Sequence, residues 1–158
     1  MRKAVRWGTI GAGTAAVLLA GVVAGIAQDK LALVTERQTF MKSQGADAKA
    51  ISDYSKGQGE KAAALNAIDD LIARAPKIIT MFPPGTSATD FPGKSNAKPE
   101  IWTDIDKVKA IPTALMAEEE KVKAAIETGP ADAVGAAMVG MVKNGCGACH
   151  GTYRVKTS

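Results

Sequence analysis

Apolar residues recur at intervals of about three to four positions along most of this chain, the spacing of one face of a helix. Gly and Pro residues divide the pattern into four segments, and no stretch alternates in the way that is typical of a strand. The predicted helices cover about residues 29–56, 60–75 and 99–128, and a fourth runs from residue 130 to near the C-terminus. An irregular connection covers residues 81–98. The pattern therefore predicts an all-α fold, an antiparallel up-down four-helix bundle.

Gly and Pro residues also predict where these helices begin and end. Gly57 and Gly59 are expected to stop the first helix, and Pro76 the second, because the residue before a proline disfavours the helical conformation. Pro99 suits the first position of the third helix, and Pro112 is expected to bend that helix.

The first 27 residues have the composition of an export signal. Arg2, Lys3 and Arg6 form a basic start, and the apolar run of residues 8–27 ends in small residues, as a signal peptidase requires. We therefore predict a cleaved signal peptide over residues 1–27, a single bundle domain over residues 28–158, and a periplasmic location. The alternative is an uncleaved membrane anchor, because about 20 apolar residues can span a bilayer.

The net charge falls close to zero when the predicted leader is left out of the count. The whole chain carries 20 basic and 16 acidic residues, and three of the basic residues lie in the leader, which leaves 17. The remaining chain is nearly neutral, so its charge gives no support for binding to nucleic acid.

The chemistry is concentrated near the C-terminus. Cys146 and Cys149 are the only two cysteines, and His150, the only histidine, follows directly. Residues at i, i+3 and i+4 of a helix face one side. The two thiols can therefore form thioethers to one porphyrin edge while the imidazole meets the iron as the proximal ligand. This spacing is the signature of c-type haem attachment and predicts one covalent haem c on the fourth helix.

Two cysteines at this spacing also occur in three kinds of site without haem. A thioredoxin-like redox pair would need a βαβ setting, which the helical pattern does not offer. A structural zinc site needs four ligands, and the chain has only three Cys and His side chains. A simple disulfide would leave the adjacent His150 without a role.

The chain resembles the class II c-type cytochromes, the cytochrome c′ family, over most of residues 28–158. Residues 146–154 are similar to the closing motif of that family. Residues 82–86 and 98–102 are similar to its loop and its entry to the third helix, and residues 37–42 to its first helix.

The resemblance implies roles for two residues of the first helix. Met41 takes the position over the distal face of the haem, and a methionine there is similar to the low-spin branch, in which its sulfur is the sixth iron ligand. An open or differently filled distal site is the alternative, because methionine often only fills a core. Met138 and Met141 share a helix with His150 and cannot reach the opposite face. Arg37, one turn before Met41, is expected to pair with a haem propionate.

The resemblance implies a periplasmic electron carrier that docks with redox partner proteins and is not an enzyme. One alternative is a five-coordinate, high-spin cytochrome c′ that binds NO or CO. Another is a haem subunit of a larger redox complex, which an uncleaved leader would favour. Peroxidase catalysis is not expected, because the chain has no second histidine to move protons on the distal side of the haem. Members of the family often pair through their first two helices, so monomer and homodimer both stay open.

Overall fold

The computed structural model describes the backbone of residues 14–156 and the side chains of residues 28–156. The predicted signal peptide, residues 1–27, lies outside the described side chains, and its cleavage stays a prediction. The helices are α1 (Thr14–Ser55), α2 (Lys61–Arg74), α3 (Glu100–Thr103), α4 (Ile105–Thr128), α5 (Ala131–Gly140) and α6 (Gly147–Tyr153). A 3₁₀ helix, Ala75–Met81, follows α2, and a π-helical turn, Met141–Cys146, joins α5 to α6 without a break.

The first helix ends as predicted but begins earlier. It stops at Ser55, and Gly57 then adopts a left-handed conformation with φ of 72°, which a residue without Cβ tolerates. The expected start at Asp29 is wrong for the full chain, because α1 already begins at Thr14. No proline interrupts the sequence between the two positions, so one helix continues through them.

Proline marks the other boundaries, with one correction. The helix α2 gives way to the 3₁₀ helix that contains Pro76, as expected. The third helical segment opens after Pro99 but is interrupted at Asp104, where ψ of 25° leaves the helical region. Pro112 lies inside α4 without ending it.

The helices pack as a bundle around a main core. The helix α1 packs on α2 and α5, and α4 packs on the same two neighbours. These four helices, called the first to fourth rods in chain order, surround one interior. The all-α four-helix prediction is therefore confirmed. The main core contains apolar residues from all four helices, and its fully buried members include Ile51, Ile68, Val122, Ile126 and Val134. Of the helices in the described part of the chain, none is long and apolar enough to cross a membrane.

A second, smaller cluster lies where the predicted site residues gather. Its buried members are Ala97, Ile101, Val108 and Tyr153. Cys149 of the motif packs against this cluster, together with Phe82 and Trp102.

Candidate functional site

A cavity of about 600 Å³ opens beside the smaller cluster. The volume falls within the range of small-molecule and cofactor sites. Its walls come from α1, from the connection between the second and third rods, and from α6. The lining residues are Arg37, Gln38, Met41, Lys42, Gly45, Phe82, Asn96, Ala97, Ile101, Cys149, His150, Tyr153 and Arg154.

The C-terminal helix brings two motif residues to this cavity. Cys149 and His150 line it, whereas Cys146 is partly buried against the main core. Partial burial lowers the pKa of His150, and the positive charge of Arg154 lowers it further. Both effects favour the neutral imidazole, which is the form that ligates a metal.

The turn before the motif places Cys146 close to α4. A Cβ added to Gly145 would come within 2.4 Å of the Cδ1 atom of Leu115, and one added to Gly147 within 2.8 Å of the carbonyl oxygen of Val142. The π turn therefore leaves little room for a side chain at either glycine beside Cys146. The periodicity of the sequence predicted an ordinary helix here, although the glycines on either side of Cys146 were visible.

The thiols do not have the character of a redox pair. Both are free, and burial raises the pKa of Cys146 and of Cys149. Reactive cysteines of oxidoreductases have lowered pKa values instead. Among the described residues, no group of three or more His, Cys, Asp and Glu side chains is placed to hold a metal ion.

Met41 of α1 lines the same cavity as His150. Met138 and Met141 are buried in the main core, and Met116 packs against that core. Of the five methionines whose side chains are described, Met41 is the one that reaches the cavity.

Arg37 also lines the cavity, but its guanidinium is held by the connection between the second and third rods. One terminal nitrogen donates to the carbonyl of Met81 and to Oγ1 of Thr86, and the other to the carbonyl of Thr86 and to Oγ of Ser95. The predicted pairing of Arg37 with a propionate is not tested by these contacts. Sequence patterns gave no sign of the partners Thr86 and Ser95, since nothing local links them to a residue about 50 positions earlier.

A buried carboxyl lies in the main core near the motif. Glu119 is 1% exposed, and no hydrogen bond in the described part of the chain satisfies its Oε2 atom. Burial, with a smaller contribution from Glu120, raises the pKa of Glu119 to about 7. The sequence held a signal for it, because Glu119 falls on the apolar stripe of Leu115 and Val122.

These residues fit a haem c. The cavity has apolar wall residues, including Phe82 and Ile101, and the imidazole of His150 also lines it. Two free thiols lie one helical turn apart beside that imidazole, which is the donor set for two thioethers and one axial ligand. Together they define a haem-binding four-helix bundle.

Comparisons with known proteins identify the family within this class. The family described as Cytochrome C' matches residues 32–154. A curated relative, cytochrome c-556 from Agrobacterium tumefaciens (strain II Chrys), is 34% identical over 78% of this chain and 97% of its own length. The chain belongs to the cytochrome c′ family.

Solved structures agree with that assignment. The cytochrome c' from Rhodobacter Spheriodes superposes with a TM-score of 0.72 and 26% identity over 81% of this chain and 98% of its own. A ferrous variant of cytochrome c prime from Alcaligenes xylosoxidans, with bound NO, gives a TM-score of 0.65 and 26% identity over 79% and 94% of the two chains. The protein is thus a mono-haem c-type cytochrome with covalent haem c as its cofactor, and its family is not one of classical enzymes.

Proposed function

We propose that this protein is a periplasmic electron carrier whose haem is attached at Cys146 and Cys149 and ligated by His150 and Met41. The observation that carries the proposal is the position of Met41, which lines the cavity of His150 from a different helix. The name cytochrome c-556, borne by the curated relative, agrees with a methionine-ligated member of the family.

His150 and Met41 suit electron transfer, because both would be neutral ligands to the iron and they lie on separate helices of a packed bundle. The haem would supply an iron that accepts and releases one electron, and a thioether ligand raises its reduction potential relative to a more donating ligand. His150 and Met41 would stay in place in both oxidation states, so little of the protein would have to move when an electron arrives.

The rim of the cavity supports docking of a redox partner. Lys42 and Arg154 line the cavity and are exposed to solvent. These cations can pair with propionates or steer an acidic partner surface toward the cavity at low ionic strength. No sequence motif of this chain identifies that partner.

The periplasmic location rests on residues 1–27, whose basic start and apolar run predict export. Covalent attachment of haem c takes place after export, so the cofactor and the leader agree. Mass spectrometry of the purified protein should find residue 28 as the N-terminus. An intact leader would instead favour a haem subunit of a membrane complex, and light scattering will distinguish monomer from homodimer.

The Met41→Ala variant tests the ligation directly. We expect the haem-loaded wild type to show sharp reduced bands that carbon monoxide does not move, and a sulfur-to-iron band when oxidised. Removing the sulfur of Met41 should convert the iron to high spin and allow carbon monoxide to bind. Met116→Ala is the control, because Met116 packs against the main core and should leave the spectrum unchanged. An unaltered spectrum in Met41→Ala would show that the sixth ligand is another residue.

The second candidate is a gas-binding cytochrome c′. It is favoured by the NO-bound structure from Alcaligenes xylosoxidans, which shares this fold. In that case the oxidised and reduced wild type would both be high-spin, carbon monoxide would shift the spectrum at once, and Met41 would be a wall residue of the cavity.

A further inference from the structure

Residues 82–99, here called the strap, connect the second and third rods and form one wall of the cavity. We propose that the strap is a positioning element that keeps Met41 in place to ligate the haem iron together with His150, with Arg37 as its anchor. This inference rests on the proposed ligation by Met41.

The first anchor of the strap is the buried guanidinium of Arg37. Its nitrogen atoms donate at 2.9 Å to Oγ1 of Thr86, at 2.8 Å to the carbonyl of Thr86 and at 2.9 Å to Oγ of Ser95. Oγ of Ser95 in turn donates to the carbonyl of Thr86 at 2.9 Å. The ring of Phe82 lies under the guanidinium at 4.9 Å, within the range of a cation–π contact. Arg37, Thr86 and Ser95 are each at most 5% exposed, so these hydrogen bonds are sheltered from water.

The second anchor joins the strap to the chain that follows His150. The backbone amide of Lys98 donates to the carbonyl of Tyr153 at 2.9 Å, and the amide of Val155 donates to the carbonyl of Asn96 at 2.8 Å. These bonds belong to an isolated antiparallel bridge, one residue pair long, that pins the strap three to five residues after His150.

The two anchors are almost adjacent along the strap. Ser95 takes part in the first and Asn96 in the second, and Arg37 lies one helical turn before Met41 on α1. A short path of hydrogen bonds therefore runs from the helix of Met41 to the segment after His150, with no free loop between.

This path matters because a thioether is a neutral ligand that no charge holds against the iron. Functional constellations need their groups fixed within about 0.5 Å by supporting contacts. Met41 and an external gas would compete for one coordination position. Any loosening of Met41 therefore appears as a higher affinity for the gas, since less of the protein is in the closed state.

The test uses haem-loaded protein with two variants and one control. Thr86→Val removes one acceptor of Arg37 with little change of volume, and Arg37→Lys keeps the charge but loses the two-nitrogen fork. Thr89→Val is the matched control, because Thr89 lies exposed in the same strap. The readouts are the sulfur-to-iron band, carbon monoxide affinity, amide hydrogen exchange at Lys98 and Val155, and urea unfolding.

We expect Thr86→Val and Arg37→Lys to retain both thioethers, to weaken the sulfur-to-iron band and to bind carbon monoxide about tenfold more tightly than wild type, with faster exchange at both amides. Thr89→Val should match wild type. Lower unfolding stability with an unchanged band and unchanged gas affinity would overturn the proposal and leave the Arg37 cluster a purely structural contact.

Failure of the underlying ligation is visible separately. If wild type itself lacks the sulfur-to-iron band and binds carbon monoxide, the assignment of Met41 fails, and this inference fails with it before any variant is made. If Arg37→Lys does not load haem, Thr86→Val alone decides the outcome, because its side chain has nearly the shape of the original.

Discussion

The carboxyl of Glu119 should make the stability of the bundle fall as pH rises. Its side chain is 1% exposed, and burial raises its pKa from 4.5 to about 7. Between these two pH values the folded protein holds a proton on Glu119 that the unfolded chain has released. The folded state therefore binds more protons, and the free energy of unfolding decreases across this window.

The size of the effect follows from the pKa values. A rise from 4.5 to about 7 corresponds to roughly 3 kcal/mol between the two protonation states. About 2.5 kcal/mol of the free energy of unfolding should be lost between pH 5 and pH 8, because the rest of the loss occurs below pH 5. With a urea slope of about 1–3 kcal/mol per M, the unfolding midpoint should move by roughly 1 M or more.

The assay compares urea unfolding of haem-loaded wild type and Glu119→Gln from pH 5 to pH 8. The amide cannot ionise, so the difference in unfolding free energy between the two proteins should grow with pH in favour of the variant. Glu127→Gln is the control, since Glu127 lies exposed on the same helix. Parallel pH curves for wild type and Glu119→Gln, or a wild type that gains on the variant as pH rises, would refute the reasoning.

Two further predictions concern the haem-bearing helix. Replacing Cys146 or Cys149 by Ala should leave at most one thioether, which mass spectrometry of the denatured protein will show; two intact linkages would rule out the motif assignment. Gly145→Ala should lower the unfolding free energy by about 1–3 kcal/mol, because its Cβ would meet Cδ1 of Leu115 at 2.4 Å and this buried side chain would have to shift within the packed core. Gly151→Ala is the control, since a Cβ there meets nothing within 4 Å, and equal losses in the two variants would contradict the packing argument.

Local signals were enough for the architecture. Helical spacing of apolar residues predicted four rods, because burying one face of each rod is the main source of its stability. Pro76 and Gly57 marked helix ends correctly, since their effects on φ act within one or two residues. The motif at residues 146–150 pointed to haem c through spacing alone, and the family of the chain agrees.

Other features depended on contacts that no local pattern records. The break at Asp104 lies eight residues before Pro112, the position that the sequence marked, and the smaller cluster has members on both sides of it, Ile101 on α3 and Val108 on α4. The π turn that ends at Cys146 likewise lies close to Leu115, a residue of another helix that no local pattern connects with it.

The sequence by itself determined the helical class, the order of the rods and the haem attachment motif, all of which rest on residues close together in the chain. The family resemblance had already singled out Met41, but only the tertiary structure showed that it shares a cavity with His150, and that Arg37 is held by Thr86 and Ser95, residues 49 and 58 positions away. The physical reason is that a side chain's partners are set by the packing of whole helices, whereas periodicity and spacing report only which face of its own helix it occupies.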